Sequence, residues 1–542
     1  MSEHLTLAAL LERNLAERRD GVAFIEGERE ISYAEFDLLC RRAAAWLTAQ
    51  GIASGDRVAL WLVNRVEWLA LFFGLARIGA VLVPVNTRYR ATELIYILER
   101  SGARLLVLQL NFRKIDFPGV LAEVDPGAVR TLERVAVMDA GADLPARVLG
   151  KPTTAVDLSR DIAVAPPDRS HPDALAVLFT TSGTTKGPKL VMHPQRTIAL
   201  HSQRVVRAFG FDAPGARLLA SLPFCGTFGL TSVLGAFAGG APAVIMDAFD
   251  ATGAVDLLRR HELTHVIGSD EMFQRIIEQT APPDPFPSLR LSAFAAFHPG
   301  AAELARAGLE RRMKLVGLYG SSEVQALFSL QPTTLPFEQV IEGGGRPVSP
   351  DAEVRIRDIE TGELLPPGVS GEIEIRAPTS FVGYLDDPEV SAKAIGADGF
   401  FRTGDIGRLR EDGSFVYETR QGDAIRLGGF LVNPAEIEEM LKRLPGVADV
   451  QVIGVDIAGH SRCVAFVIAA AGKAPGETEV IAWAAKSMAG FKVPSQVWFV
   501  TEFPTTQSAN GVKIQRAKLR AMALERLAGA VDSSGARQAP RL

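Results

Sequence analysis

Over roughly the first 400 residues, short apolar runs alternate with segments of helical periodicity, and this alternation most constrains the fold. "RVALWL", "AVLVPVN", "RLLVL", "ALAVLF", "APAVIM" and "HVIG" each read as a buried strand bounded by turn or helix signals. Strands separated by helices cannot pair as hairpins. They must run largely parallel, with helices covering the sheets, so the fold class is α/β. At 542 residues the chain also exceeds one ordinary core, and two or more domains are expected.

The texture changes after "FRTGDIGRLREDGSFVYETRQGDAIRLGG". There "NPAEIEEMLKRL" predicts a helix with Asn433 as N-cap, Pro434 at the first helical position and Glu436 completing a capping box. Ile437, Met440, Leu441 and Leu444 then share one face. Strand-like "DVQVIGV" and "CVAFVIAA", and a helix near "EVIAWAAKSMAG", complete a small α+β unit. The expected domains are residues 1–421 and 422–542, with a frayed tail after about Leu527.

Composition excludes several classes. The 58 basic and 63 acidic side chains leave a net charge of -5, which gives no whole-surface reason to bind nucleic acid. Cys40, Cys225 and Cys463 lie far apart and in no metal-ligand spacing, fitting a reducing cytoplasm. The N-terminus reads as an amphipathic helix rather than a signal peptide. Leu218 to Met246 carries no charge, but "GAFAGGAP" breaks it into a buried helix and a buried strand, so no integral membrane segment is expected.

"TTSGTTKGPK", Thr180 to Lys189, leaves the end of the predicted strand "ALAVLF" with five hydroxyls, two glycines and two lysines. Glycines let backbone N–H groups approach an anion, hydroxyls donate to its oxygens and lysine neutralises it, so a phosphate cradle is indicated. The spacing from Gly183 to Gly187 is too short for a Walker A loop. Taken alone, the decapeptide leaves a flexible Ser/Gly/Thr surface loop open as well.

The stretch resembles the phosphate loop of the AMP-forming adenylating enzymes, the superfamily of acyl-CoA synthetases, nonribosomal adenylation domains and luciferases. Further segments resemble that family in the same order along essentially the whole chain. The resemblance implies a large N-terminal domain with a β-barrel-like subdomain and a small mobile C-terminal domain. It implies that Thr181, Ser182, Gly183, Thr184, Thr185 and Lys186 hold ATP phosphates. "LYGSSE" implies Tyr319 and Gly320 at adenine, Ser322 near the α-phosphate and Glu323, with Thr184, on Mg²⁺. In "FRTGD" Asp405 would accept from the ribose hydroxyls, and Arg420 would face the nucleotide. "GVKIQR" makes Lys513 the catalytic lysine, and Gly428 and Gly429 would line a tunnel for coenzyme A. "GRPV" and much of the N-terminal third also look like family segments.

Four positions depart from the family pattern. Gly226 stands where the family commonly has His or another aromatic bordering the acyl pocket, and Phe297 where it has a small turn residue. Gly422 occupies the pivot usually held by Asp or Lys, and Val512 replaces the glycine before Lys513, in a loop "TTQSANG" that looks long. The pocket wall would comprise Phe224, Cys225, Gly226, Phe228, Phe297, His298, Gly317 and Val324. It suits a fatty, aromatic or alicyclic acid, since no acidic residue is present in it to receive an ammonium group. The implied activity is ATP-dependent conversion of such an acid, through an acyl-adenylate, to an acyl-CoA. A stand-alone enzyme loading a carrier protein and a nucleotide-binding regulator without catalysis stay open, and so does a homodimer.

Overall fold

The computed structural model describes residues 4–112, 114–141, 144–160, 166–181, 188–295, 301–421, 425–427, 430–432, 434–457, 460–472, 474–488, 492–508 and 511–534. Two compact units emerge. One takes the described residues up to 295 with Ala301–Val354 and Ile375–Phe401, and the other takes Arg355–Glu374 and the described residues from Arg402 onward.

The first unit contains an eight-stranded sheet ordered Leu190–Pro194, Leu175–Thr180, Val81–Pro84, Arg57–Trp61, Leu105–Gln109, Arg134–Met138, Lys151–Ala155, Arg147–Val148. Its interior pairings are parallel and only the two outermost are antiparallel. Each of the apolar runs read from the sequence is one of the unit's strands, with ends within two residues of the quoted stretch. The strands Leu105–Gln109 and Val81–Pro84 are buried at every position, as expected where helices cover both faces.

A second set of strands in this unit runs Gly343–Pro347, Gln325–Leu330, Leu315–Ser321, Leu291–Ala295, His265–Ser269, Leu218–Ala220, Ala243–Ile245, Val22–Glu26, Arg29–Ser32. From Leu315–Ser321 to Val22–Glu26 the pairings are parallel. The uncharged stretch divides as expected, into helix Thr227–Gly239 and strand Ala243–Ile245, with Gly240 in the left-handed region at φ 86° closing the helix. Among the described residues no helix is long and apolar enough to cross a membrane.

In the second unit, Gly371–Arg376, Phe401–Leu409 and Phe415–Arg420 are successive strands of a sheet. Helix Pro434–Lys442 starts at Pro434, as its fixed φ favours, and buries Ile437 and Leu441. Asn433 and the Glu436 side chain lie outside the described residues. A three-stranded sheet, Val447–Ile457, His460–Ala469 and Gln496–Phe499, alternates its faces: Val450, Val452, Cys463 and Ala465 pack with Ile437 and Ala484, and Ile453, Val455, Val464 and Phe466 pack with Leu519 and Ala523. That second layer anchors helix Arg516–Ser534, which continues past Leu527 instead of fraying there. "TTQSANG" belongs to a β-hairpin, Thr505–Ser508 with Gly511–Ile514, rather than to a long open loop.

Candidate active site

The phosphate-loop segment joins two antiparallel strands, with Thr180 opposite Leu190. Its base is tied twice: the Thr181 N–H donates to the Lys189 carbonyl at 3.0 Å, and the Lys189 N–H to the Thr181 hydroxyl at 3.1 Å. Two tyrosines brace the ends. The Tyr89 hydroxyl donates to Thr180 Oγ1 at 3.2 Å and the Tyr96 hydroxyl to the Pro188 carbonyl at 3.1 Å. Ser182, Gly183, Thr184, Thr185 and Lys186 lie outside the described residues. The residues on either side of that stretch are braced by these four hydrogen bonds.

Strand Leu315–Ser321 turns back into Gln325–Leu330, and the turn carries Ser322 and Glu323. A Cβ on Gly317 would lie 1.9 Å from the Glu342 carbonyl oxygen, and one on Gly320 would lie 2.5 Å from Ala326 Cα. Both positions therefore require glycine for backbone packing alone. Tyr319 lies edge-on to Phe328 with ring centroids 6.5 Å apart. The turn is fixed from several sides. Ser321 Oγ accepts from the N–H groups of Glu323 and Val324, and the Phe381 N–H donates to the Glu323 carbonyl at 2.8 Å. The Tyr384 hydroxyl donates to Glu323 Oε1 at 3.0 Å, and the Lys189 ammonium sits 4.6 Å from the centroid of the Tyr384 ring.

His193 is fully buried, and its Nε2 lies 2.8 Å from the Ser322 carbonyl. A carbonyl can only accept, so Nε2 carries the proton and Nδ1 faces Thr197 Oγ1 at 3.1 Å. Burial lowers its pKa to about 4, which leaves the ring neutral at physiological pH, a structural strut rather than an acid.

The "LPFCG" segment is clamped by Asn64. Its Oδ1 accepts from the Phe224 N–H at 2.7 Å, and its Nδ2 donates to the carbonyls of Leu222 and Met246 at 2.8 and 3.1 Å. Cys225 is buried, and desolvation pushes its thiol up to about 11, so it behaves as a small hydrophobe. Gly226 caps helix Thr227–Gly239 at φ -100°, and a Cβ there would meet only the Pro223 carbonyl oxygen, at 3.6 Å. That position is open, unlike Gly317 and Gly320. Phe228 and Val324 are buried, and Thr227 Oγ1 lies 3.5 Å from Ser322 Oγ, joining this wall to the Glu323 turn. Phe297 and His298 lie outside the described residues.

In the second unit Asp405 and Arg420 face each other across an antiparallel ladder. The Arg420 guanidinium donates to Asp405 Oδ1 and, at 3.0 Å, to the Thr403 carbonyl. The Thr403 hydroxyl accepts from the Asp405 N–H at 2.9 Å and donates to the Ile373 carbonyl at 2.7 Å. Gly404, within the strand Phe401–Leu409, takes a φ of 68°, which glycine accommodates. Burial, followed by the charges of Glu374 and Asp405 among the causes, raises the pKa of neighbouring Glu372. Lys513 lies opposite Thr506 in the hairpin, and Gly422, Gly428 and Gly429 are outside the described residues.

The structure thus brings Thr181, Ser322, Glu323, Val324 and Gly226 into one connected patch of the first unit, and pairs Asp405 with Arg420 in the second. Sequence reasoning assigned nothing to Tyr384, His193 or Asn64, and placed Lys189 only in the anion cradle; all four hold these elements in place. Among the described residues no cluster of three His, Cys, Asp or Glu side chains could cage a metal. A single placed carboxylate suits Mg²⁺, which is commonly shared between one or two carboxylates and substrate phosphates.

The profile of the AMP-binding enzyme family matches residues 11–385, and that of the AMP-binding enzyme C-terminal domain matches residues 436–510. A putative acyl-CoA synthetase, YngI, of Bacillus subtilis is 31% identical, over 96% of this chain and 98% of its own. The 3-[(3aS,4S,7aS)-7a-methyl-1,5-dioxo-octahydro-1H-inden-4-yl]propanoyl:CoA ligase of Rhodococcus jostii is 33% identical, over 94% and 97%. The ATP-bound crystal structure of MatB from Rhodopseudomonas palustris superposes with a TM-score of 0.80 at 27% identity, covering 96% of this chain and 99% of that one.

Proposed function

The chain belongs to the AMP-binding enzyme family, and we propose from that premise that it is an AMP-forming acid:CoA ligase acting on a fatty, aromatic or alicyclic carboxylate. In the first step a carboxylate oxygen attacks the α-phosphorus of ATP. The bond to the bridging oxygen breaks, and pyrophosphate leaves with its electron pair. In the second step the thiol of coenzyme A loses its proton and its sulfur attacks the acyl carbonyl. AMP then departs with the electrons of the acyl–oxygen bond.

Thr181, Ser182, Gly183, Thr184, Thr185 and Lys186 cradle the β- and γ-phosphates, with the loop mouth held by the Thr181–Lys189 pair. Tyr319 and Gly320 receive adenine, Ser322 faces the α-phosphate, and Asp405 accepts from the ribose hydroxyls with Arg420 beside it. Lys513 stabilises charge developing between carboxylate and α-phosphate. Glu323, with Thr184, would hold Mg²⁺, which when bound supplies charge neutralisation on the triphosphate. Gly428 and Gly429 line the pantetheine path. Residues 422–542 rotate about Gly422 between the two steps, within the reducing cytoplasm that three free cysteines fit.

The observation that carries this reading is the Glu323 carboxylate, hydrogen-bonded by Tyr384, whose ring also contacts Lys189 at the base of the phosphate loop, in a chain matched by both family profiles. The acceptor is read as coenzyme A because relatives aligned over nearly the whole chain are named as CoA ligases. Mass spectrometry of reactions holding MgATP, coenzyme A and candidate acids tests it. A free acyl-CoA formed together with AMP is expected. An adenylate that accumulates and is never transferred to coenzyme A would refute the acceptor.

A further inference from the structure

Phe381–Leu385 follows the edge strand Leu190–Pro194 through the Met192–Gly383, Val382–Met192 and Leu385–Leu190 backbone hydrogen bonds. This brings a ring from a distant part of the chain between two charged groups of the candidate site. Tyr384 is 5% exposed. Its hydroxyl donates to Glu323 Oε1 at 3.0 Å, and the Lys189 ammonium lies over its ring at 4.6 Å. The main chain of Glu323 is fixed independently, by Ser321 and by the Phe381 N–H. The hydroxyl therefore acts on what those bonds leave free, the rotation of the carboxylate.

We propose that Tyr384 is a positioning residue, which aims the Glu323 carboxylate at the cation of MgATP and couples that aim to the phosphate loop through Lys189. This rests on the ligase reading above. With Oε1 engaged by one donor, Oε2 and the remaining lone pair of Oε1 stay available to a hard cation. The second partner of a metal ligand sets its orientation, and losing one costs about 10- to 100-fold in metal affinity. Lys189 closes the loop through its backbone and contacts the ring through its ammonium, so seating of phosphates and aim of the carboxylate move together.

Tyr384→Phe removes the hydroxyl and keeps the ring, its packing and the lysine contact. Two readouts apply: the Mg²⁺ dependence of acid activation at saturating ATP, and Mn²⁺ binding to the full chain with α,β-methylene-ATP, followed by electron paramagnetic resonance. The second needs no turnover. It therefore separates failure of this proposal from failure of the ligase reading, which would show as wild-type Mn²⁺–nucleotide binding without acid activation. The expected result is a rise of about 10- to 100-fold in the metal concentration needed in both, at unchanged melting temperature. In a Glu323→Gln background the same substitution should add less than twofold, because the carboxylate it aims is gone. Unchanged metal dependence in Tyr384→Phe, or an equal effect in both backgrounds, would overturn the proposal.

Discussion

Gly226→Leu is the substitution that best separates pocket from packing. The backbone at Gly226 has φ -100°, which any residue adopts, and its Cβ would meet a single atom at an ordinary 3.6 Å. Losing glycine at a helix N-cap costs on the order of 0.5–1 kcal/mol. In a domain of this size that lowers the melting temperature by only about 1 °C. On the proposed reading, the added isobutyl group takes up space in the wall that the acid would fill, next to Thr227, whose hydroxyl lies 3.5 Å from Ser322 Oγ. Each methylene-sized loss of fit costs about 1–3 kcal/mol of transition-state binding, or roughly 10- to 200-fold. The kcat/KM for bulky aryl-alkanoic or alicyclic acids should therefore fall at least tenfold, while short-chain acids change little. Steady-state kinetics over a size series, with a melting curve for each variant, provides the assay. A uniform loss across all acids, or no loss, would refute the placement of Gly226 in the acyl pocket. Gly317→Ala is the control. With backbone 1.9 Å from its Cβ, it should unfold the protein or cut its yield whatever the acid.

Asp405→Asn should raise the KM for ATP by about 10- to 100-fold, as loss of charge-assisted hydrogen bonds predicts, and the penalty should shrink with 2′-deoxy-ATP; equal penalties would refute ribose contact. Asn64→Ala strands the Phe224 N–H and the Leu222 and Met246 carbonyls and should cost about 2–4 kcal/mol in urea unfolding, whereas a change under 0.5 kcal/mol would refute the clamp. Burial holds His193 and His201 near pKa 4 in the folded chain, against 6.5 when unfolded. The unfolded state alone gains their protons as pH falls below 6.5, so each destabilises the fold by about 1.4 kcal/mol per pH unit between 6.5 and 4. Urea midpoints at pH 7.5 and 5.5 should differ accordingly, and a flat profile would contradict the buried neutral rings.

Much of the architecture is legible because it is written in local periodicity. Apolar runs such as "RVALWL" and "HVIG" can only be buried strands once helices separate them, and "NPAEIEEMLKRL" carries its own start signal and buried face. The candidate site is legible where the proposed contacts come from consecutive residues, as in "TTSGTTKGPK" and "LYGSSE". Its supports are not. Tyr384 lies 61 residues from Glu323, His193 lies 129 from Ser322, and Asn64 lies 160 from Phe224, so no window on the sequence contains both partners. The glycines show the same limit. Gly317, Gly320 and Gly226 look alike in sequence, yet backbone crowding dictates the first two, while the third leaves a side chain's worth of room. "TTQSANG" reads as an irregular loop because turn residues dominate it, and only the pairing of Thr505–Ser508 with Gly511–Ile514 makes it a hairpin.

The central claim is acid activation on the α-phosphate of ATP, and exchange of labelled pyrophosphate into ATP, without coenzyme A, reads that step directly. The account predicts exchange that requires both Mg²⁺ and one class of apolar carboxylic acid, and that falls by orders of magnitude in Lys513→Ala. Exchange that proceeds equally without any acid, or that survives intact in Lys513→Ala, would contradict it.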